Sequence, residues 1–128
     1  LETAAVWSRL SELKQAVTEA VHHALEDPGT PLVMCHVSHV YATGASLYFT
    51  VAAAAGARPA ERWARAKQAA GEAISNHGGT ITHHHAVGTD HLPWMRREIG
   101  DLGVEVLKAV KAALDPSGIL NPGKLIPS

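Results

Sequence analysis

The sequence predicts an α+β fold of the ferredoxin-like split βαβ type, an antiparallel sheet with helices on one face, followed by C-terminal helices and a docking tail. Three observations favour this fold: an amphipathic helical pattern near the N-terminus, two strand-like segments joined through Gly44, and a second helical pattern that Pro59 opens. With a short strand predicted over Thr80–His83, the order of the elements is helix, strand, strand, helix, strand. One additional strand before Leu1 would complete the β-α-β-β-α-β layout.

Residues 4–26 are predicted to form the first helix, because apolar residues recur there at the spacing of one helical face. Thr3 has the residue type of an N-cap, whose hydroxyl oxygen accepts a hydrogen bond from an early backbone N–H. The helix is expected to end at Asp27, since Pro28 cannot continue it and Gly29 tolerates the turn.

Residues 31–41 and 45–54 are predicted to pair as a hairpin, since Gly44 lies in the short link between them. The second segment alternates, so successive side chains point to opposite faces of the sheet. The apolar set is expected to face the helices and comprises Ala45, Leu47, Phe49 and Val51. The other set is expected to face water or a polar site and comprises Ser46, Tyr48 and Thr50.

A second helix is predicted from Pro59 to about Asn76, because proline is favoured at the first helical position. The pair Gly78-Gly79 is expected to end it. The side chains that this helix is expected to bury are Trp63, Ala66, Ala70 and Ile74.

The remaining residues are predicted to form a short strand over Thr80–His83, a short helix opened by Pro93, and a last helix over 101–114. The tail from Gly118 to Ser128 is rich in proline and glycine, so it is expected to be ordered only if it docks. One stripe of the last helix carries Leu102, Val106, Val110 and Leu114.

With 128 residues, of which 46% are hydrophobic, the chain is large enough for one globular domain with a core. Its formal net charge of -1 offers no basic surface, so no nucleic-acid partner is expected. The single cysteine, Cys35, cannot form an internal disulfide and no signal peptide is visible, which favours a cytoplasmic location. The chain starts without Met and lacks any glycine-rich or Walker loop, so it is expected to be a fragment, and most of a nucleotide site would lie elsewhere.

The run His83-His84-His85 is the sharpest chemical feature of the sequence. Imidazole takes and releases protons near neutral pH, so neighbouring histidines in a pocket can serve as acid and base. If the strand persists through the run, His83 and His85 share one face and His84 takes the other. We therefore predict that the run handles protons, with a histidine-rich surface loop as the alternative interpretation.

Zinc binding is a second functional interpretation of this run, with His36, His39 or His91 as further ligands. However, no carboxylate or cysteine stands at zinc-motif spacing near the run. His36 and His39 lie three positions apart, which on a regular strand places them on opposite faces. The sequence therefore predicts no protein-built metal site.

Tyr48 lies on the polar face of the second predicted strand. A phenol in that place can donate a hydrogen bond or relay a proton. A tyrosine packed across a strand pair is the commoner arrangement, and the pattern by itself favours it.

The segment Thr82-His83-His84-His85-Ala86-Val87-Gly88 resembles the triple-histidine motif of the alkylglycerone-phosphate synthases, also called alkyldihydroxyacetonephosphate synthases. The segments Leu1-Glu2-Thr3 and Gly44-Ala45-Ser46-Leu47-Tyr48-Phe49 resemble other parts of the same family. The tail from Leu114 to Lys124 is similar to that of the broader vanillyl-alcohol-oxidase-type flavoproteins, which include glycolate and D-lactate dehydrogenases.

This resemblance implies that FAD is the cofactor and that residues 1–128 are the C-terminal cap, or substrate domain, of an FAD-linked oxidase whose FAD-binding domain precedes them. The catalytic residues that it implies are Tyr48, His83, His84 and His85. The residues that it implies near the cofactor are His85, Asn121 and Lys124.

The reaction implied by the resemblance replaces the acyl group of acyl-dihydroxyacetone phosphate by a fatty alcohol, which gives an ether lipid. In that scheme His84 or His85 acts as acid or base, and Tyr48 assists proton transfer or orients the substrate. The implied partners are the protein's own N-terminal FAD-binding domain and a small-molecule or lipid substrate. A homodimer and a peripheral membrane contact for lipid substrates are further expectations.

Two rival hypotheses stay open at this point. An FAD-dependent 2-hydroxy-acid dehydrogenase of the glycolate or D-lactate type fits the ending Asn121-Pro122-Gly123-Lys124, which looks more like the dehydrogenases than the animal synthases. A histidine-rich metal-binding module would account for the histidine run, but it would leave the tail after Asp115 without a role.

Overall fold

The computed structural model describes residues 1–127, which form two compact units, the first over Leu1–His85 and the second from Ala86 onward. The strands and helices of the first unit are β1 (Glu2–Val6), α1 (Leu10–Leu25), β2 (Leu32–Val40), β3 (Gly44–Ala52) and α2 (Pro59–Asn76). The second unit contains α3 (Met95–Leu114). Short 3-10 turns precede α1 and α3, over Trp7–Arg9 and Leu92–Trp94.

The predicted α+β fold with an antiparallel sheet is confirmed. The sheet has three strands in the order β1-β3-β2, and both pairings are antiparallel, so β3 is the central strand. Helix α1 packs against α2 and against all three strands. The buried apolar side chains of these elements are Leu13, Val17, Val21, Leu25, Ala45, Leu47, Phe49, Ala66, Ala70 and Ile74.

The predicted first helix is wrong at its beginning, because Glu2–Val6 form β1 and the helix starts only at Leu10. This segment supplies the strand that was expected before Leu1. Its alanines favour a helix in isolation, but pairing along the central strand outweighs that weak preference. Thr3 is therefore not an N-cap: its buried hydroxyl donates to the carbonyl oxygen of Thr80 at 2.6 Å.

The predicted hairpin is confirmed by the pairing of β2 with β3. The alternation along β3 also holds, except that Ser46 is fully buried although it lies on the polar face. The register shifts between Val37 and Val40, so that Ser38 and His39 both lie opposite Ser46. Such a β-bulge turns side chains away from their regular directions, and here it changes which residues reach the polar face.

Helix α2 has the predicted bounds, but its buried face differs at one position. Trp63 is 38% exposed, whereas the neighbouring Arg62 is buried. The Arg62 guanidinium donates to four backbone carbonyl groups, which explains how a charged side chain is accommodated there. These acceptors belong to Leu25, Asp27, Ala54 and Ala55.

The strand predicted over Thr80–His83 is wrong. The segment approaches β1 through hydrogen bonds from the Thr80 N–H to the Ala4 carbonyl at 2.9 Å and from the Thr3 hydroxyl to the Thr80 carbonyl. The backbone then turns into the left-handed region at His84, with φ 65°. A ladder needs extended backbone, so this turn prevents a regular fourth strand.

In the second unit, the predicted short helix at Pro93 is a 3-10 turn that leads directly into α3. Gly100 interrupts α3 with φ 73° and ψ 170°, so the predicted helix over 101–114 corresponds to the part after this break. The apolar stripe of that part is exposed, at 80% for Leu102, 55% for Val106, 51% for Val110 and 77% for Leu114. Within residues 1–127, no helix has the length and apolar character needed to cross a bilayer.

The tail begins with a turn that Asp115 holds together. Its carboxylate accepts hydrogen bonds from the N–H groups of Ile119 at 3.1 Å and Leu120 at 2.9 Å. The Lys111 ammonium also donates to this carboxylate and holds the pKa of Asp115 below its ordinary value. Local hydrogen bonds therefore order the start of the tail.

Candidate active site

The predicted histidine run lies beside the first residue of β1. His83 Nδ1 is 3.3 Å from Glu2 Oε1, and His85 Nε2 is 2.8 Å from Glu2 Oε2. The left-handed backbone at His84 bends the chain between them. His83 and His85 thus share a carboxylate partner, although no strand carries them.

Glu2 is the central residue that sequence reasoning missed. Its side chain is only 4% exposed, and one of its oxygens also accepts a hydrogen bond from Ser38 Oγ at 3.0 Å. Burial works to raise the pKa of Glu2, but hydrogen bonds from the surrounding histidine and serine side chains outweigh it and lower that pKa. The carboxylate is therefore ionised at neutral pH. The signals in the sequence are its acidic side chain and its place in the segment Leu1-Glu2-Thr3, which resembles the synthase family.

The β-bulge of β2 builds a second wall of the site. Ser38 Oγ lies 2.6 Å from Ser46 Oγ, and the backbone N–H of His39 donates to Ser46 Oγ at 3.0 Å. The His39 ring also lies near Glu2, with its Nδ1 3.7 Å from Glu2 Oε1. These contacts satisfy the buried hydroxyl of Ser46.

The prediction that His36 and His39 lie on opposite faces is wrong because of the β-bulge in β2. His36 pairs with Tyr48 across the sheet, on the polar face. His39 contacts Ser46, which points to that same face. The extra residue of the bulge shifts the alternation of β2 by one position, so the two histidines come to one side.

Two tyrosines border the histidine run. The Tyr48 ring, 41% exposed, lies with its centroid 6.3 Å from that of His85. The Tyr41 hydroxyl lies 3.2 Å from His83 Nε2. The structure therefore brings predicted Tyr48 beside one predicted histidine, and it adds Tyr41 beside another.

The three histidines occupy different environments. Both ring nitrogens of His83 have partners, Glu2 and Tyr41, and its side chain is 16% exposed. The His84 ring packs against those of His83 at 3.8 Å and His39 at 4.5 Å between centroids. His85 is 56% exposed and meets Glu2 through one nitrogen. His84 is exposed too, but its ring packs between two other imidazoles, whereas His85 lies beside Tyr48 and is the better placed to exchange a proton with a bound molecule.

Four of these residues also have the chemistry of a metal site. One potential ligand atom from each of Glu2, His39, His83 and His84 lies within 4.8 Å of the others. Carboxylate oxygens and imidazole nitrogens are ligands that zinc accepts. A cation would have to displace the hydrogen bonds that the carboxylate already accepts, and the absence of a metal site stays a prediction.

The two tail residues predicted near the cofactor lie in the second unit. Asn121 and Lys124 line a groove of about 400 Å³ together with Leu120, Leu125 and Lys111. The groove combines apolar walls with ammonium groups, which suits an anionic or amphipathic ligand. Their cofactor role stays a prediction.

Comparison with known protein families gives one match over almost the whole chain. The family described as FAD linked oxidases, C-terminal domain, matches residues 1–125. The alkyldihydroxyacetonephosphate synthase of Trypanosoma brucei brucei is 35% identical over 129 residues, which cover 99% of this chain and 21% of that protein. The chain therefore spans about a fifth of the length of this relative.

Two further comparisons define the similarity. A solved structure described as alkyldihydroxyacetonephosphate synthase in P212121 superposes with a TM-score of 0.61 at 25% identity, covering 98% of this chain and 20% of that one. The glycolate oxidase subunit GlcD of Bacillus subtilis is 48% identical, but only over 48 residues, or 38% of this chain and 10% of that protein. The similarity to the synthases is thus continuous, and the similarity to the oxidase subunit is partial.

Proposed function

Because this chain belongs to the family of FAD linked oxidase C-terminal domains, we propose that it forms the substrate-binding part of an FAD-dependent enzyme resembling the alkyldihydroxyacetonephosphate synthases. The proposed reaction exchanges the acyl group of acyl-dihydroxyacetone phosphate for a fatty alcohol, which is a step of ether lipid synthesis. The continuous similarity to a synthase over 99% of the chain favours this reaction over its rivals.

The observation that carries the proposal is the placement of His85 next to Tyr48. The exposed His85 imidazole contacts the buried Glu2 carboxylate through Nε2. The centroid of the Tyr48 ring lies 6.3 Å from that of His85. An imidazole and a phenol that face the same space can move a proton and donate a hydrogen bond to one substrate.

In the proposed reaction, His85 takes a proton from the substrate and later returns one to the group that leaves. The proton bonds to a ring nitrogen while its former bonding electrons stay on the substrate. Tyr48 donates a hydrogen bond to a substrate oxygen and so fixes the orientation of the reacting carbon. His83 and His84 hold this arrangement through their contacts with Glu2, Tyr41 and each other.

The donor groups of the chain fit FAD as the cofactor. Imidazole and phenol groups suit the ring oxygens and nitrogens of a flavin, and the amide of Asn121 and the ammonium of Lys124 suit its polar and anionic parts. When bound, FAD supplies an electron-accepting centre at which the substrate can be held and activated. We propose that His85, Asn121 and Lys124 are the cofactor contacts of this chain.

The test uses the longer FAD-containing protein with acyl-dihydroxyacetone phosphate and a fatty alcohol. We expect His85→Ala and Tyr48→Phe each to lower kcat, for His85 by about 10²–10⁴-fold, which is the usual contribution of a positioned acid or base. His23→Ala is the matched control, since that histidine is 87% exposed on α1 and outside the site. Unchanged kcat in both site variants, with FAD bound, would contradict the proposal.

A 2-hydroxy-acid dehydrogenase is the second candidate, because of the partial similarity to a glycolate oxidase subunit. This function requires that glycolate or D-lactate bleach the flavin absorbance under anaerobic conditions. The exchange reaction involves no net redox change, so we expect its substrates to produce ether product while the flavin remains oxidised at the end of turnover. Lasting bleaching by a 2-hydroxy acid, without ether formation, would favour the dehydrogenase.

The partners proposed are an FAD-binding domain of the same protein, preceding residue 1, and a small-molecule or lipid substrate. The length of the relatives supports the first, since this chain covers 21% of the Trypanosoma synthase. The exposed apolar stripe of α3 offers a surface for such a domain or for a second subunit. A homodimer, a peripheral membrane contact for lipid substrates and a cytoplasmic location are further proposals, and they rest on the sequence and the family resemblance alone.

A further inference from the structure

Glu2 contacts His83 and His85 of the proposed site, but the reaction proposed above assigns it no step. It begins β1, and its side chain is 4% exposed. One carboxylate oxygen lies 2.8 Å from His85 Nε2, the shortest approach of Glu2 to any of the surrounding histidine rings. The other oxygen is engaged by Ser38 and His83, at 3.0 and 3.3 Å.

An ionised carboxylate can only accept hydrogen bonds, so a ring nitrogen that faces it at 2.8 Å carries the proton. Burial works to raise the pKa of Glu2, yet the hydrogen bonds around it lower that pKa, and the group is ionised at neutral pH. His85 therefore carries its proton on Nε2 when the ring is neutral. This leaves Nδ1 as the nitrogen that can accept a proton from another molecule.

His83 receives a different assignment from the same carboxylate. Its Nδ1 donates to Glu2, and its Nε2 accepts from the Tyr41 hydroxyl at 3.2 Å. Because both ring nitrogens of His83 are hydrogen-bonded within the protein, His83 stabilises the position of the Glu2 carboxylate and does not compete with His85 for the substrate proton. The left-handed turn at His84 makes this possible, because it lets two nearby histidines approach opposite oxygens of one carboxylate.

We propose that Glu2 is a positioning residue that fixes the proton of His85 on Nε2 and thereby presents Nδ1 to the substrate. When Nδ1 takes the substrate proton, the N–H bond forms as the substrate–H bond breaks, and the electron pair stays on the substrate. The resulting imidazolium is then stabilised by the adjacent negative charge of Glu2. The inference rests on the proposed function, since it assumes that His85 serves as acid or base.

The test is a double-mutant cycle in the longer FAD-containing protein. We expect Glu2→Gln to lower kcat roughly 10- to 100-fold with little change in KM, because the amide keeps the shape but no longer dictates the tautomer. In a protein that already carries His85→Ala, the same change should have no further effect on kcat. Glu12→Gln is the matched control, since its carboxylate is 56% exposed on α1 and pairs with Arg9 outside the site.

A second readout does not depend on turnover. In protein labelled with 15N in its histidines, the ring signal that disappears in His85→Ala identifies His85, and at alkaline pH its shifts distinguish Nε2–H from Nδ1–H. We expect the Nε2–H tautomer in the wild type and a mixture in Glu2→Gln. An Nδ1–H tautomer in the wild type overturns the inference even if the Glu2 variant does not fold.

The two proposals fail in different ways. If His85→Ala leaves kcat unchanged, the proposed function of His85 fails. If His85→Ala lowers kcat while folded Glu2→Gln does not, His85 keeps its role and the inference about Glu2 is wrong. Additive losses in the double variant also overturn it, because they would show that Glu2 acts independently of His85.

Discussion

At the scale of single residues, one buried carboxylate distinguishes three histidines that are identical in the sequence. Glu2 contacts His83 and His85 through different oxygens, and the turn at His84 separates them. The three histidines thereby differ: His83 is half-buried against Glu2, the exposed His84 ring packs against other histidines, and the exposed His85 contacts Glu2 through one nitrogen. The chemistry of the site depends on this difference in environment.

The lowered pKa of Glu2 predicts how it affects stability across pH. A carboxyl group whose pKa is lower in the folded state stabilises the fold above its ordinary value of 4.5, and this contribution is lost as pH falls through the folded value. We therefore expect wild-type protein to be more stable than Glu2→Gln at pH 7, with the difference shrinking below pH 4.5. Urea unfolding of both proteins at several pH values measures this.

The control for this experiment is Glu12→Gln, because an ion pair as exposed as that of Glu12 with Arg9 contributes little to stability. Its difference from the wild type should stay small over the whole range. A stability difference for Glu2→Gln that does not change between pH 7 and pH 3 would contradict the role given to the ionised carboxylate.

At the scale of secondary structure elements, the close pairing of β1 with β3 places Glu2 in the site. Gly44 lies opposite Val6 at the end of this pairing. A Cβ at Gly44 would lie 2.1 Å from the Ala5 carbonyl oxygen and 2.9 Å from Val6 Cα, both of which are backbone atoms that cannot rotate away. Only glycine allows the two strands to approach this closely.

We expect Gly44→Ala to lower the free energy of unfolding by about 1–3 kcal/mol, the usual cost of overpacking, because β1 must move away from β3. Denaturant unfolding followed by circular dichroism measures this change. Gly29→Ala is the control, since a Cβ there would meet no atom within 4 Å. Equal stability of Gly44→Ala and the wild type would show that β1 is not held as described.

Two elements were predicted wrongly, the segment Glu2–Val6 and the segment Thr80–His83, and each error has a structural cause. The segment Glu2–Val6 contains two alanines and no aromatic residue, so its local pattern continues that of the helix that follows. Its strand conformation comes from pairing with residues about 40 positions away, which periodicity cannot register. The opposite error occurred at Thr80–His83, where an apparently strand-like segment bends into a turn.

At the scale of the whole molecule, the main feature is the exposed apolar stripe of α3. Leu102 and Leu114 are 80% and 77% exposed, although their spacing is that of a buried helical face. A relative that is 35% identical is several times longer, since the aligned residues make up 21% of it. The proposed FAD-binding domain or a second subunit would have this stripe available to pack against.

We expect the isolated 128-residue chain to bind a hydrophobic dye and to associate as its concentration rises, because this stripe faces water. The double variant Leu102→Glu and Leu114→Glu should lower both effects, as measured by dye fluorescence and sedimentation. Ala64→Glu, on an exposed position of α2, is the control for adding charge. Equal dye binding by the wild type and the double variant would contradict this use of the stripe.

The sequence by itself determined the fold class, the hairpin, the bounds of α2 and the family, because these depend on periodicity, turn residues and motifs that are local in the chain. It also predicted that Tyr48 and the histidine run would be the chemical residues, and the structure places Tyr48 beside His85. Only the tertiary structure brought Glu2, Ser38 and His39 to the same place. Their convergence depends on the pairing of β1 with β3, the bulge in β2 and the left-handed turn at His84, and none of these three can be read from periodicity or turn residues in the sequence.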